Sequence, residues 1–246
     1  VVYFVDSFAN FNDHALGFAV LDVLRKLNIE VVVPKQRPVP LPAFVYGNIK
    51  AARRDMEYNL GHIVPFVRKG YKVVCSEPSA ALCLKDEMRF IVDSEDARLV
   101  SQNTFELMDY LKQRQIKPVQ SKQKTESPSQ GLQTQEVFDY KHCTLGYHAP
   151  CHLKALRLAG VSIDLLKQFD FSVVDINGGC CGLAGTAGMQ KKNHHLAEAI
   201  GGHLSGAIAE CGVDVVVTEC AACKMQIEHL THKQVIHPIK LLAQVL

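Results

Sequence analysis

Short apolar runs alternate with longer amphipathic stretches along this chain. Residues 1–5, 30–33 and 71–75 are compact, β-branched or aromatic runs and predict buried strands. Residues 12–27 set Leu16, Val20, Val23, Leu24 and Leu27 on one stripe, the spacing of an amphipathic helix. Residues 48–68 and 104–112 predict two further helices. In the second half, residues 144–148, 171–176 and 213–218 predict strands, and residues 153–169 and 193–211 predict helices. Strands separated by helices of this length favour right-handed βαβ units. The expected class is α/β with mainly parallel sheets.

The same pattern occurs twice. Residues 21–25 match residues 163–167, an offset of 142. Carried forward, that offset lays Val31-Val32 on Val173-Val174, Gly70 on Gly212, Val73-Val74 on Val215-Val216 and Glu77 on Glu219. Near the start the register slips by two, so that Tyr3 meets Tyr147. An internal duplication follows, each copy one α/β unit. Between the copies, residues 113–136 are rich in Gln, Lys, Ser, Pro and Thr and carry no aromatic side chain. That composition predicts an exposed linker. The expected division is 1–112, a linker at 113–140, and 141–246.

The copies differ in their cysteines. The second holds Cys151, the adjacent Cys180-Cys181, and Cys220-x-x-Cys223, each group just beyond an expected strand. Ligands of parallel α/β sheets bind in the crevice beyond the carboxyl ends of the strands. Thiols far apart in sequence therefore converge there. The aligned positions of the first copy are Ser7, Pro38, Val39, Pro78 and Ala81. Four of these offer no ligand atom, and the Ser7 hydroxyl is a poor ligand for soft metals. The first copy is thus expected to bind no metal centre.

The spacing C-x28-C-C-G-x37-C-x2-C also bears on the kind of metal. Structural zinc takes four ligands in C-x2-4-C knuckles. Adjacent cysteines chelate one tetrahedral ion poorly but can reach two irons of one cluster. A glycine after the pair lets the backbone approach closely, and amide groups of residues 185–188 could donate to sulfurs, which raises a reduction potential. Zinc, or a redox-active thiol pair at Cys180/Cys181 or Cys220/Cys223, are the alternatives. Cys75, Cys83, Cys143 and Cys211 read as small buried hydrophobes. His148 and His152 flank Cys151 and are either tuning donors to a sulfur or ordinary histidines. Glu77 and Glu219 recur in both copies and are read as serving the fold. The run from Lys191 to His195 reads as a solvated helix start, and Tyr46-Gly47-Asn48 as a turn.

Composition narrows the classes. Hydrophobic residues make up 48% and charged residues 21% of 246, and the net charge is +2, so no nucleic-acid partner is implied. No apolar run approaches a membrane span, and no signal peptide is visible. Nine cysteines, an odd number grouped by motif, argue against a disulfide framework. The chain opens on Val1 within a strand pattern, and is expected to be part of a longer polypeptide.

The string from Tyr147 to His152, the segment from Cys180 to Thr186 and the segment from Cys220 to Lys224 together resemble the cysteine-rich "CCG" iron–sulfur family. That domain occurs in the B subunit of heterodisulfide reductase, in the glycolate oxidase iron–sulfur subunit and in the C subunit of anaerobic glycerol-3-phosphate dehydrogenase. The ending from His237 to Ala243 looks most like the last. The resemblance implies two CCG modules, the first (1–112) without ligands and the second (141–246) intact. It implies a [4Fe–4S] cluster, cubane or non-cubane, on Cys151, Cys180, Cys181, Cys220 and Cys223, with zinc in its place where iron is lost. It implies an electron-transfer domain or subunit of an oxidoreductase of the glycerol-3-phosphate, glycolate or lactate type. The partners would be an FAD-bearing dehydrogenase domain or subunit and a quinone, membrane-anchored or thiol/disulfide acceptor, in the cytoplasm or at the inner face of the membrane. The C-x2-C-x2-C-x3-C-P runs of a ferredoxin-like region are missing from this chain; they are expected upstream, as is, in some relatives, a fused FAD-linked oxidase. No separate acid–base site is expected.

Overall fold

The computed structural model describes residues 1–118 and 139–246. Among these, seven strands form two parallel sheets. β1 (Val2–Phe4), β2 (Val73–Cys75) and β3 (Thr104–Glu106) make the first, in that order. β4 (Thr144–Tyr147), β5 (Ser172–Asp175), β6 (Val215–Val217) and β7 (Val235–Ile236) make the second, ordered β5-β4-β6-β7. The α/β expectation with parallel sheets holds.

The two sheets share one plan. β1 pairs with β2 as β4 pairs with β6, and β3 extends the first pair as β7 extends the second. On the other edge of β1, Val32 makes a single parallel bridge to Val2, where β5 lies against β4. The strand expected at 30–33 is thus reduced to one bridge. Val33 is half exposed and Pro34, which follows it, has no N–H to continue a ladder.

Strand alternation builds the core. Val1 and Tyr3 on β1, Leu145 and Tyr147 on β4, and Val215 and Val217 on β6 face one common apolar cluster. Helices His14–Lys26, Leu107–Gln113, Val161–Gln168 and Pro238–Val245 fill it from both halves. The opposite faces look outward into separate cores. Val2, Phe4, Val73 and Cys75 pack under helix Ile49–Val67, and Val216 and Ile176 under helix His194–Cys211. Gly146, between Leu145 and Tyr147, faces this last core, where an added Cβ would lie 2.5 Å from Ile176 Cδ1. The two halves therefore share a core rather than merely touch.

Two further expectations change. The helix expected at 104–112 begins as β3 and turns helical only at Leu107, where the Glu106 carboxylate caps the turn by accepting from Asp109 N–H at 3.0 Å. The helix expected at 153–169 is two helices, Cys151–Ala155 and Val161–Gln168, separated by a turn with Arg157 at φ 62°. β7 and helices Ala221–Thr231 and Pro238–Val245 complete the second half. Most of the linker expected at 113–140, residues 119–138, lies outside the described residues. At its flanks Gln113 ends a helix and Tyr140–His142 form a 3-10 turn.

Candidate metal centre

β4, β5 and β6 all point their carboxyl ends at the cysteine loops. Cys151 opens helix Cys151–Ala155 directly after Pro150. Cys180 and Cys181 lie in the loop after β5. Cys220 is the N-cap of helix Ala221–Thr231 and Cys223 sits in its first turn. Helix N-termini carry partial positive charge and favour thiolates.

The five sulfurs form one chain of contacts. Cys151 Sγ donates to Cys180 Sγ at 3.7 Å. Cys180 Sγ also accepts from Gly182 N–H at 3.4 Å and is hydrogen-bonded to its neighbour Cys181. Cys223 Sγ donates to Cys181 Sγ at 3.3 Å and is bonded in turn to Cys220. All nine cysteines are free thiols.

Electrostatics differ along this chain. The hydrogen bond from Cys223, with amide donors such as Leu183 N–H, outweighs burial and draws Cys181 down to about 6. Burial, then the Cys180 neighbour, pushes Cys151 up to about 11. Cys223 is held well above the ordinary thiol range by its hydrogen bonding with Cys181 and Cys220, and then by burial. Cys220 is lowered by its bond to Cys223, but burial and the Glu77 carboxylate outweigh that and leave it raised.

The loop needs its glycine. Gly182 has φ 93°, and a Cβ there would meet Ala197 O at 2.1 Å. Nearby, Gly201 lets helix His194–Cys211 lie against the Cys181 carbonyl, 2.7 Å from where a Cβ would be.

The first half also reaches into this site, which local sequence patterns did not reveal. Glu77 caps helix Pro78–Leu82 through Ser79 and accepts from Ala221 N–H at 2.9 Å, the first residue of the helix that bears Cys223. Ser79 Oγ bonds His152 Nδ1 at 2.7 Å. The recurrence of Glu77 and Glu219 in the sequence was the one available signal. Glu219, its counterpart, is buried and accepts from Tyr147 OH at 2.9 Å and from Ser162. Burial raises both carboxyls to about 7.

Neither histidine beside Cys151 bonds a sulfur. His152 is held by Ser79. His148 is 1% exposed with both ring nitrogens unpartnered, as is Thr218 Oγ1 at the end of the neighbouring strand. Burial, then Lys154, lowers His148 to about 4. Cys75 and Cys83 are buried in the first half as expected, but Cys143 is only half-buried and Cys211 is exposed. Cys211 is the last residue of its helix, where the apolar stripe has already ended at Ile208. Tyr46 does close a turn, and its hydroxyl also meets Thr186 Oγ1 at 2.9 Å on the rim of the cysteine loop.

Comparison with known families gives a match to the cysteine-rich domain CCG over residues 145–228. This segment is similar to a CCG domain. It takes in all five converging cysteines, from the first turn after β4 to the helix carrying Cys223. The whole chain is similar to the C subunit of anaerobic glycerol-3-phosphate dehydrogenase from Escherichia coli strain K12 and from Escherichia coli O157:H7, at 30% identity over 257 aligned residues in each case. The resemblance expected from the cysteine motifs is thereby found. The chain spans 59% of the length of these relatives. Among the described residues no helix is long and apolar enough to cross a membrane.

Proposed function

We propose that the second half, residues 141–246, binds an iron–sulfur cluster of the [4Fe–4S] class, cubane or non-cubane, through Cys151, Cys180, Cys181, Cys220 and Cys223. The chain then acts as an electron-transfer part of a flavin-linked dehydrogenase. The observation that carries this reading is the unbroken chain of five thiols at three parallel strand ends. A zinc ion uses four ligands and a redox pair two; five connected sulfurs suit a polynuclear centre. The residues present fit such a group in other ways. Amide donors already address Cys180 and Cys181, Gly182 lets the backbone close in, and His148 and Thr218 are orphaned donors on the strands that lead into the cysteine loops.

When bound, such a cluster supplies one-electron chemistry. The chain's own residues hold it and tune it. Residues 1–112 bind no metal in this reading. They support the site through Glu77 and Ser79, as a degenerate module joined by the segment around 113–140. The similarity to part of a glycerol-3-phosphate dehydrogenase favours a glycerol-3-phosphate type of system over the glycolate and lactate types. The proposal further takes in an FAD-bearing partner, a quinone or a thiol/disulfide as acceptor, and a peripheral position at the inner face of the membrane.

The test is anaerobic reconstitution with iron and sulfide. About four of each per chain and an EPR signal, both lost or altered in Cys181→Ser, are expected. Stoichiometric zinc with near-zero iron would sink the proposal and leave a zinc-stabilised interaction module. Dithiol turnover by metal-free protein would instead favour a thiol–disulfide oxidoreductase.

A further inference from the structure

A second group of ligand-type side chains lies on the surface behind the cysteine loop. His194 opens helix His194–Cys211, and Glu198 follows one turn later. His229 stands in the last turn of helix Ala221–Thr231. The two imidazoles converge on a single carboxylate oxygen. His194 Nε2 lies 3.3 Å and His229 Nε2 3.1 Å from Glu198 Oε1. One ligand atom from each residue falls within 4.8 Å of the other two.

We propose that His194, Glu198 and His229 bind one divalent transition-metal ion of the zinc, cobalt or nickel class, clamping together the two helices that wall in the cysteine loop. Four-coordinate sites with bonds of about 2.0–2.1 Å hold neighbouring donor atoms about 3.3 Å apart. The two edges to Glu198 match that spacing, and the third, between the imidazoles, is no longer than 4.8 Å. Two imidazoles with one carboxylate select borderline ions over magnesium or calcium, which prefer oxygen alone. Side-chain exposures of 57% for His194, 53% for His229 and 40% for Glu198 leave the site reachable and its remaining coordination open to water. This inference stands apart from the cluster proposal, because its donors are nitrogen and oxygen rather than sulfur.

The clamp's position gives it a consequence. Between His194 and Glu198 lies Ala197, whose carbonyl abuts Gly182 and accepts from Gln226 Nε2 at 3.3 Å on the facing helix. Four residues on, Gly201 touches the Cys181 carbonyl. Cys223 starts the same helix that His229 ends. An ion at this point fixes the distance between the element that backs Cys180-Cys181 and the element that carries Cys223.

The experiment is nickel uptake by the full chain, measured by anaerobic equilibrium dialysis with metal analysis, on the unchanged protein and on His229→Ala and Glu198→Gln. These side chains are partly or largely exposed, and circular dichroism checks that both variants stay folded. One nickel more per chain in the unchanged protein, bound at least ten-fold tighter than in either variant, is expected. Thermal unfolding should shift upward with zinc in the unchanged protein and shift less in both variants. Equal uptake and equal thermal shifts in all three proteins would overturn the clamp, whatever the cysteines bind. Cobalt spectra separate the two sites, since thiolate-to-cobalt charge transfer reports the cysteines alone and should be the same in all three.

Discussion

Gly182 shows how much can rest on one missing side chain. Its left-handed backbone costs any other residue about 1–2 kcal/mol, and a Cβ would press on the Ala197 carbonyl at 2.1 Å. Backbone on that side cannot swing away as a flexible side chain would. Gly182→Ala is therefore expected to lose at least about 2 kcal/mol in urea unfolding and to weaken metal binding at the cysteines. Gly185, in the same loop at φ 67°, has nothing within 4 Å of an added Cβ. Gly185→Ala should cost only the conformational part, about 1 kcal/mol. Equal losses for the two would contradict this account of the loop. At this scale the sequence was informative where chemistry is carried by type and spacing, as with the five cysteines. It marked Glu77 by recurrence and His152 by position but was silent on Ser79 and on what these residues bond, since the partners lie 144 or 73 residues away and follow no local period.

Among elements, helices with a clean stripe and strands set in compact apolar runs were legible, whereas β3 and β7 were not. The stripe from Leu16 to Leu24 is buried as its spacing implied. β3 and β7 sit in no longer apolar run, unlike the three-residue β1, β2 and β6. Nor did periodicity show how helices from the two halves are joined. Helix His14–Lys26 is capped by Asp13, which accepts from Leu16 N–H and also takes both Oδ contacts of Lys240 at 2.7 Å. Burial raises the Asp13 carboxyl, but Lys240 outweighs it and holds it below the ordinary value of 3.8. A depressed carboxylate adds stability that is present above its unfolded pKa and lost as pH falls through its folded one. Lys240→Met should cost about 1 kcal/mol at pH 7 and less at pH 2, where Asp13 is losing its charge. Asp13→Ala should cost about 1–2 kcal/mol, because the helix loses its cap as well. Urea midpoints at the two pH values measure both.

The whole molecule responds to acid through its buried histidines. His237 caps helix Pro238–Val245 by accepting from Ile239 N–H at 3.1 Å, and its Nε2 donates to Ser76 O at 2.9 Å in the other half. Burial lowers His237 to about 4, as it does His148. Both are neutral in the fold, whereas in the unfolded chain they protonate near 6.5. Between pH 6.5 and 4 these two side chains bind more protons in the unfolded chain, so their contribution is full at neutrality and is lost as pH falls, against the opposite trend of Glu77 and Glu219, whose carboxyls are raised to about 7. Roughly 2 kcal/mol per histidine should be lost by pH 5. His237→Gln should flatten part of that slope, at some cost at pH 7. A pH 7-to-5 slope that is the same in the unchanged protein and in His237→Gln would contradict the His237 assignment. The parallel class and the repeat were readable at this scale because both leave periodic marks. The shared core was not, since an apolar strand facing a neighbouring unit looks like one facing its own helices.

Glu77 belongs to the half without converging thiols, yet it seals the first turn of the helix that bears Cys223. Chemistry and architecture are thus divided unequally between two units built on one plan. In the proposed reading Ser7, Pro38, Val39, Pro78 and Ala81 hold no metal, while the residue just before Pro78 still supports the helix that bears Cys223. A unit without its own ligands has become a buttress for its twin, and neither can change at their seam without the other registering it.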